Sequence, residues 1–219
     1  MYNYPFVNNT SGYLMTLGSL YIISAPSGAG KTSLIKALLE SVANVEVSIS
    51  HTTRPIRDGE ANGQHYYFVD VPTFEAGIID GIFLEHAKVF ENYYGTSQST
   101  VQQRLEEGID VILEIDWQGA QQIRKLMPDN CSIFIMPPSI EELKRRLTSR
   151  NQDAEDVIIR RVSQAKDDIQ HFDEYDHVII NDNFESALQA LSSIFQSKRT
   201  LRDKMQLSHQ GLLKELLHN

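Results

Sequence analysis

An apolar run, Leu20–Ser24, leads directly into a glycine-rich turn and then into a helical pattern, and few folds accommodate that order. The turn reads Ala25-Pro26-Ser27-Gly28-Ala29-Gly30-Lys31-Thr32. Its glycines let the backbone curl so that successive N–H groups point inward, and the helix start adds partial positive charge. Together these groups cradle phosphate oxygens. Strand, turn and helix are the context that the phosphate-binding P-loop requires. Lys31 is placed to reach β- and γ-phosphates, and the Thr32 hydroxyl to help hold Mg²⁺. The strict motif has glycine where this chain has Ala25, which demands a negative φ there. By itself the motif names ATP or GTP chemistry and nothing narrower.

The rest of the chain alternates short β-rich runs with helical patterns, the signature of βαβ units around a parallel sheet. Strands are expected at residues 45–50, 66–69, Phe83–Val89, 110–115, 132–136 and 177–181. Helices are expected at 32–41, 72–80, 97–107, 118–127, 139–150 and 154–169, and again from Phe184 onward. Gly108 and Pro128 act as helix stops, and Ser139 with Glu142 matches a capping box. Residues 54–65, holding Pro55, Gly59 and Gly63, read as loop. The expected fold class is α/β, a P-loop parallel sheet core flanked by helices.

Composition narrows the function classes. A formal net charge of −9 argues against a nucleic-acid polymer or an acidic membrane as the main partner, so basic groups must act in local clusters. One cysteine, Cys131, excludes an internal disulfide framework and fits a reducing, cytoplasmic setting. No apolar run approaches the roughly 18 residues that suggest a membrane span. Residues 1–17 carry no charge and lack the basic start of a secretory signal; they read as a flexible extension, with Met15 as a candidate alternative start.

Three further clusters carry chemistry. Glu114 and Asp116, two apart at the end of a core strand, project from one face, where a P-loop protein holds its magnesium-binding carboxylate. Spacing alone does not divide metal holding from substrate contact between them. Ser50, Arg54, Arg57 and Glu60 bring two guanidinium groups, which suit a phosphate bidentately, beside hydroxyls. Downstream, Glu85 lies in a strand and Asn92-Tyr93-Tyr94-Gly95-Thr96 follows, offering a strand carboxylate and neutral donors. Between Lys144 and Arg161 six basic residues face three acidic ones, in a helix–break–helix pattern suited to a closing lid. Arg146 and Arg150 share one helix face there.

The runs SAPSGAGKTSL, SHTTRPIRDGE, NYYGTS and DWQGAQQIR, in this order, resemble those of bacterial guanylate kinases over roughly residues 18–196. The resemblance implies one kinase domain over residues 18–197, with a GMP-binding insert near 50–97, a lid near 139–170 and a helical tail over 198–219. It implies phosphoryl transfer from ATP, with Mg²⁺, to GMP. Ser50, Arg54, Arg57, Glu60, Tyr66, Glu85, Tyr94, Thr96, Glu114 and Asp116 would form the GMP site. Within it Arg54, Arg57, Tyr66 and Tyr94 would hold the phosphate, and Ser50, Glu85 and Thr96 would read the base. Lys31, Arg54, Arg146, Arg150 and Arg161 would act on the transferring phosphate, Thr32 and Asp116 on the metal, and Asn181 on adenine. The chain departs from the family pattern at Glu114, usually Asp, and Thr96, often Ser.

Guanine supports that base assignment independently. It presents N1–H and N2–H side by side, which one carboxylate accepts as a pair, whereas adenine offers a bare N1 acceptor. Two rivals remain at this point: a P-loop kinase acting on a phosphorylated sugar, and a kinase-like scaffold that only binds proteins. The base-reading set argues against the first, and Lys31, Thr32 and the lid arginines argue against the second. Oligomeric state and tolerance of dGMP stay open.

Overall fold

The computed structural model describes residues 18–89, 91–149 and 155–217. Five parallel strands form the central sheet in the order β2-β7-β1-β8-β9: β1 (Leu20–Ser24), β2 (Val45–Val47), β7 (Asp110–Leu113), β8 (Cys131–Met136) and β9 (His177–Ile180). All five residues of β1 are buried, because helices cover both faces of the sheet. Tyr21, Ile23, Ile133 and Ile135 pack on one face against α1 (Lys31–Ser41) and α7 (Phe184–Arg199). Leu20, Ile22, Leu113 and Phe134 pack on the other, against α3 (Gln98–Glu106) and α4 (Trp117–Leu126). Tyr21 stacks on Phe195 at 3.7 Å between ring centroids, a pairing worth about 0.5–1.5 kcal/mol beyond burial.

A second, mixed sheet has the order β4-β3-β6-β5, built from β3 (His51–Thr52), β4 (Tyr67–Phe68), β5 (Phe83–Val89) and β6 (Asn92–Ser97). The helix α2 (Val71–Ile79) packs on it through Phe74, which stacks on Phe83. The β6 strand was not expected from sequence, because NYYGTS carries no apolar alternation; its partners β3 and β5 define it. The strand expected at 45–50 stops at Val47, so the chain turns from the central sheet into the second one. The β7 strand likewise stops at Leu113, so Glu114 and Asp116 lie beyond its end rather than on one strand face.

The helices α5 (Ile140–Ser149) and α6 (Glu155–Ile169) share a small core of Leu143, Leu147, Ile158 and Ala165. Ser139 caps α5 as expected, accepting the Glu142 N–H at 3.1 Å, but the Glu142 side chain turns to Arg145 and Arg146 instead of completing the box. A 3-10 turn, Phe172–Glu174, leads from α6 to β9. The chain ends in α8 (Arg202–Ser208) and α9 (Gln210–Leu217). No helix among the described residues is long and apolar enough to cross a membrane. The extension over residues 1–17 and Arg150 lie outside the described residues.

Candidate active site

The site lies where the parallel strands end, the edge at which open α/β sheets bind ligands. The loop after β1 holds Gly28 at φ 92° and Gly30 at φ 96°, conformations open to glycine, and Gly30 opens α1. Ala25 is not among the positive-φ residues, so the departure from the strict motif costs no backbone strain. Asn181, buried just beyond β9, donates its side-chain N–H to Ala29 O at 2.8 Å. Arg146 from α5 donates to Asn181 O at 3.0 Å and is held by Glu142 at 2.8 Å. Gly28, Gly30, Ser33, Arg146, Asn181 and Phe184 line a cleft of about 290 Å³ beside the loop.

Lys31 Nζ lies 3.9 Å from Glu114 Oε2. Asp116 caps α4, its Oδ1 accepting the Gly119 N–H at 2.9 Å. Burial raises the Asp116 pKa, while the Gly119 N–H and the Lys31 charge pull it back down. Two carboxylates thus flank the P-loop lysine. The Thr32 hydroxyl is exposed at the first turn of α1.

The second sheet brings the polar residues of the insert together. Arg54 Nη2 donates to Glu60 Oε1 at 2.7 Å, and its guanidinium sits 5.4 Å from the Tyr66 ring centroid and 5.7 Å from that of Phe68. Glu60 Oε2 accepts the Arg57 N–H at 2.8 Å, so Glu60 braces the arginine loop. Tyr66 and Tyr94 meet edge to face at 6.0 Å. Burial raises the Tyr66 pKa, with nearby Tyr94 and Glu114 adding to it, which joins the insert to the end of β7 electrostatically. Ser50 is half-buried just before β3, and the Arg57 side chain is exposed.

Glu85 is 3% exposed, and its Oε1 accepts the Thr96 hydroxyl at 2.6 Å. Burial pushes its pKa up to about 7 against the opposing Thr96 hydrogen bond, and the Asp116 charge adds to the rise. Its Oε2 lies against Gly119 on α4, where a Cβ would sit 2.5 Å away. Sequence reasoning missed Gly119, Gln122 and Phe68. An isolated glycine inside a helical pattern was the available signal for the first. Arg161 lies on α6.

A phosphate-cradling loop at the strand ends, facing a second sheet with a buried carboxylate and an arginine–tyrosine cluster, defines a P-loop phosphotransferase with a separate acceptor site. The profile of the family described as guanylate kinase matches residues 18–198. A guanylate kinase of Sodalis glossinidius is 56% identical over 205 residues, spanning 93% of this chain and 99% of that one. One of Haemophilus influenzae is 56% identical over 206 residues, with the same coverage. The crystal structure of guanylate kinase from Anaplasma phagocytophilum aligns with a TM-score of 0.72 at 32% identity, over 89% of this chain and 97% of that one. The chain belongs to the guanylate kinase family, the nucleoside monophosphate kinases that move a phosphoryl group from ATP to GMP.

Proposed function

We propose that this chain reads GMP with the second sheet and delivers to it the terminal phosphoryl group of ATP held by the P-loop, in the cytoplasm. The observation that carries this reading is the Glu85–Thr96 pair, a buried carboxylate hydrogen-bonded to a buried hydroxyl. Ionised Glu85 accepts N1–H and N2–H of guanine, and Ser50 and Thr96 supply hydroxyls to the base. Arg54, Arg57, Tyr66 and Tyr94 hold the acceptor phosphate, with Glu60 keeping Arg54 in place. Lys31 and the loop N–H groups hold the ATP phosphates, while Arg146, Arg150 and Arg161 act on them from the lid. Asn181 keeps the loop in its binding shape and borders the nucleoside end of the cleft.

The acceptor oxygen of GMP is anionic at neutral pH, so no side chain is needed as a general base. Catalysis is then alignment of the two phosphates plus neutralisation of their charge. The donor set beside Lys31 fits Mg²⁺, a hard cation that keeps water and phosphate ligands and takes only one or two protein oxygens. Thr32 and Asp116 would hold it, with Glu114 as a further carboxylate at the same end. Bound there, it neutralises phosphate charge. Closure of α5 and α6 excludes water and keeps ATP from hydrolysis.

A coupled assay of ADP release, with ATP–Mg²⁺ and separately GMP, AMP, CMP and UMP, tests the reading. Turnover with GMP far above the other three is expected. Equal turnover with AMP would overturn the assignment of the base site.

A further inference from the structure

We infer that α4 mechanically couples the guanine site to the root of the lid, with Gln122 and His171 as its positioning residues. This inference rests on the site reading above. The β5 strand is the open edge of the second sheet, and an edge strand leaves backbone groups unpaired. Gln122 of α4 fills that gap at His86, the residue after Glu85. Its Oε1 accepts the His86 N–H at 3.2 Å, and its Nε2 donates to His86 O at 2.7 Å. A primary amide carries the same donor and acceptor as a peptide group, so this side chain acts as a one-residue strand. Gly119, one turn earlier, allows Glu85 Oε2 to lie against the helix.

The opposite side of α4 grips the lid root. Trp117, next to Asp116, stacks on His171 at 3.8 Å with ring planes 10° apart. Glu174 in the 3-10 turn binds His171 Nδ1 at 2.7 Å, Gln121 Nε2 at 3.0 Å and the Arg124 guanidinium. Asp168, on the last turn of α6, lies close enough to Asp116 for that charge to raise its pKa, after burial as the main cause. The Trp117–His171 stack and the Gln122 clamp lie on opposite sides of α4. What they share is one short helix whose N-terminal cap is Asp116. A rotation of α6 on closure must therefore displace α4 or break the stack, and displacement of α4 moves the backbone beside Glu85.

The test is the linkage between the two substrates, since a coupling free energy appears as a change in one ligand's affinity caused by the other. GMP affinity is measured by calorimetry with and without a non-hydrolysable ATP analogue. In the parent chain the analogue should tighten GMP binding at least fivefold. His171→Ala and Gln122→Ala should each bring that ratio close to one, and the double variant should lose no more than either single one, since both interrupt one connection. His171→Phe, which keeps a ring for Trp117, should restore most of the ratio. Trp117 is the sole tryptophan, so its emission reports the stack directly, and its response to the two ligands together should vanish in His171→Ala. A folded His171→Ala variant with the full ratio overturns the coupling, as does a parent chain with a ratio of one. Failure of the underlying site reading shows separately, as GMP affinity unmoved by Glu85→Gln.

Discussion

Glu85 on β5 and Thr96 on β6 are register partners across an antiparallel pair, and the Thr96 hydroxyl donates to Glu85 Oε1 at 2.6 Å. The hydrogen bond favours the ionised carboxylate, whereas burial favours the neutral one. Burial wins, and the pKa reaches about 7. This buried carboxyl group is thus poised between protonation states near neutral pH, a placement common for groups with a functional task.

On the proposed reading, Glu85→Gln puts an amide where guanine needs a charged acceptor. Hydrogen bonds to charged groups contribute about 1.5–3 kcal/mol, so kcat/KM for GMP should fall roughly 10- to 100-fold. The KM for ATP should hold. Steady-state kinetics with GMP and AMP as alternative acceptors check both statements.

Protonation of Glu85 gives the site a pH signature. On the proposed reading the ionised form accepts the guanine N–H donors, so GMP affinity should rise as pH increases towards about 7 and level off above it. Stability runs the other way. A carboxyl group whose folded pKa lies above its unfolded value stabilises the fold fully below the unfolded pKa, and that contribution is lost as pH rises through about 7. Glu85→Gln should flatten both curves, read by GMP titrations and by thermal melts across pH 4 to 8, a window spanning roughly both pKa values.

Gly119→Ala places a Cβ 2.5 Å from Glu85 Oε2. The contact is with the tip of a side chain, so the fold should survive with a small shift in Tm. The carboxylate must move, however, and on the proposed reading the KM for GMP should rise about tenfold, in line with loss of one good hydrogen bond. An unchanged KM for GMP would show that Glu85 reaches the base from a different position.

Asn181→Ala removes the donor that holds Ala29 O. Loss of a partner to a buried carbonyl costs about 1–3 kcal/mol, although the Arg146 contact at 3.4 Å offsets part of it. Loosening of the loop should raise the KM for ATP and leave that for GMP within twofold. Equal effects on both substrates would point to a general loss of fold.

Glu60→Ala removes the carboxylate that accepts from Arg54, whose pKa that hydrogen bond raises. Arg54 then keeps only the Pro55 carbonyl and the Tyr66 and Phe68 rings to orient it. The expected result is a higher KM for GMP with little change in Tm, because Glu60 sits near the surface. Kinetics and melting curves on the same preparation separate the two.

The P-loop, the parallel sheet and the helix stops were legible because each is set by local chemistry. A buried strand is a continuous apolar run, and a phosphate loop needs glycines at fixed offsets before a helix. The carboxylates Glu114 and Asp116 were also legible as a pair, since they fall at the end of the most apolar strand. Only the fold separated them, by ending β7 at Leu113 and giving Asp116 the cap of α4. The insert was least readable: β4 and β5 fall where strands were expected, but β3 is short and β6 lacks apolar alternation, so pairing between distant segments defines those two. Sequence likewise named Glu85 but left its protonation undetermined, because desolvation depends on what surrounds a group. Thr96 faces it from β6 and Gly119 from α4, and only tertiary packing brings them there. The sequence by itself determined the phosphate-loop motif and the family; the tertiary structure decided the neighbours and the protonation of Glu85, since pKa and close approach are properties of neighbours in space.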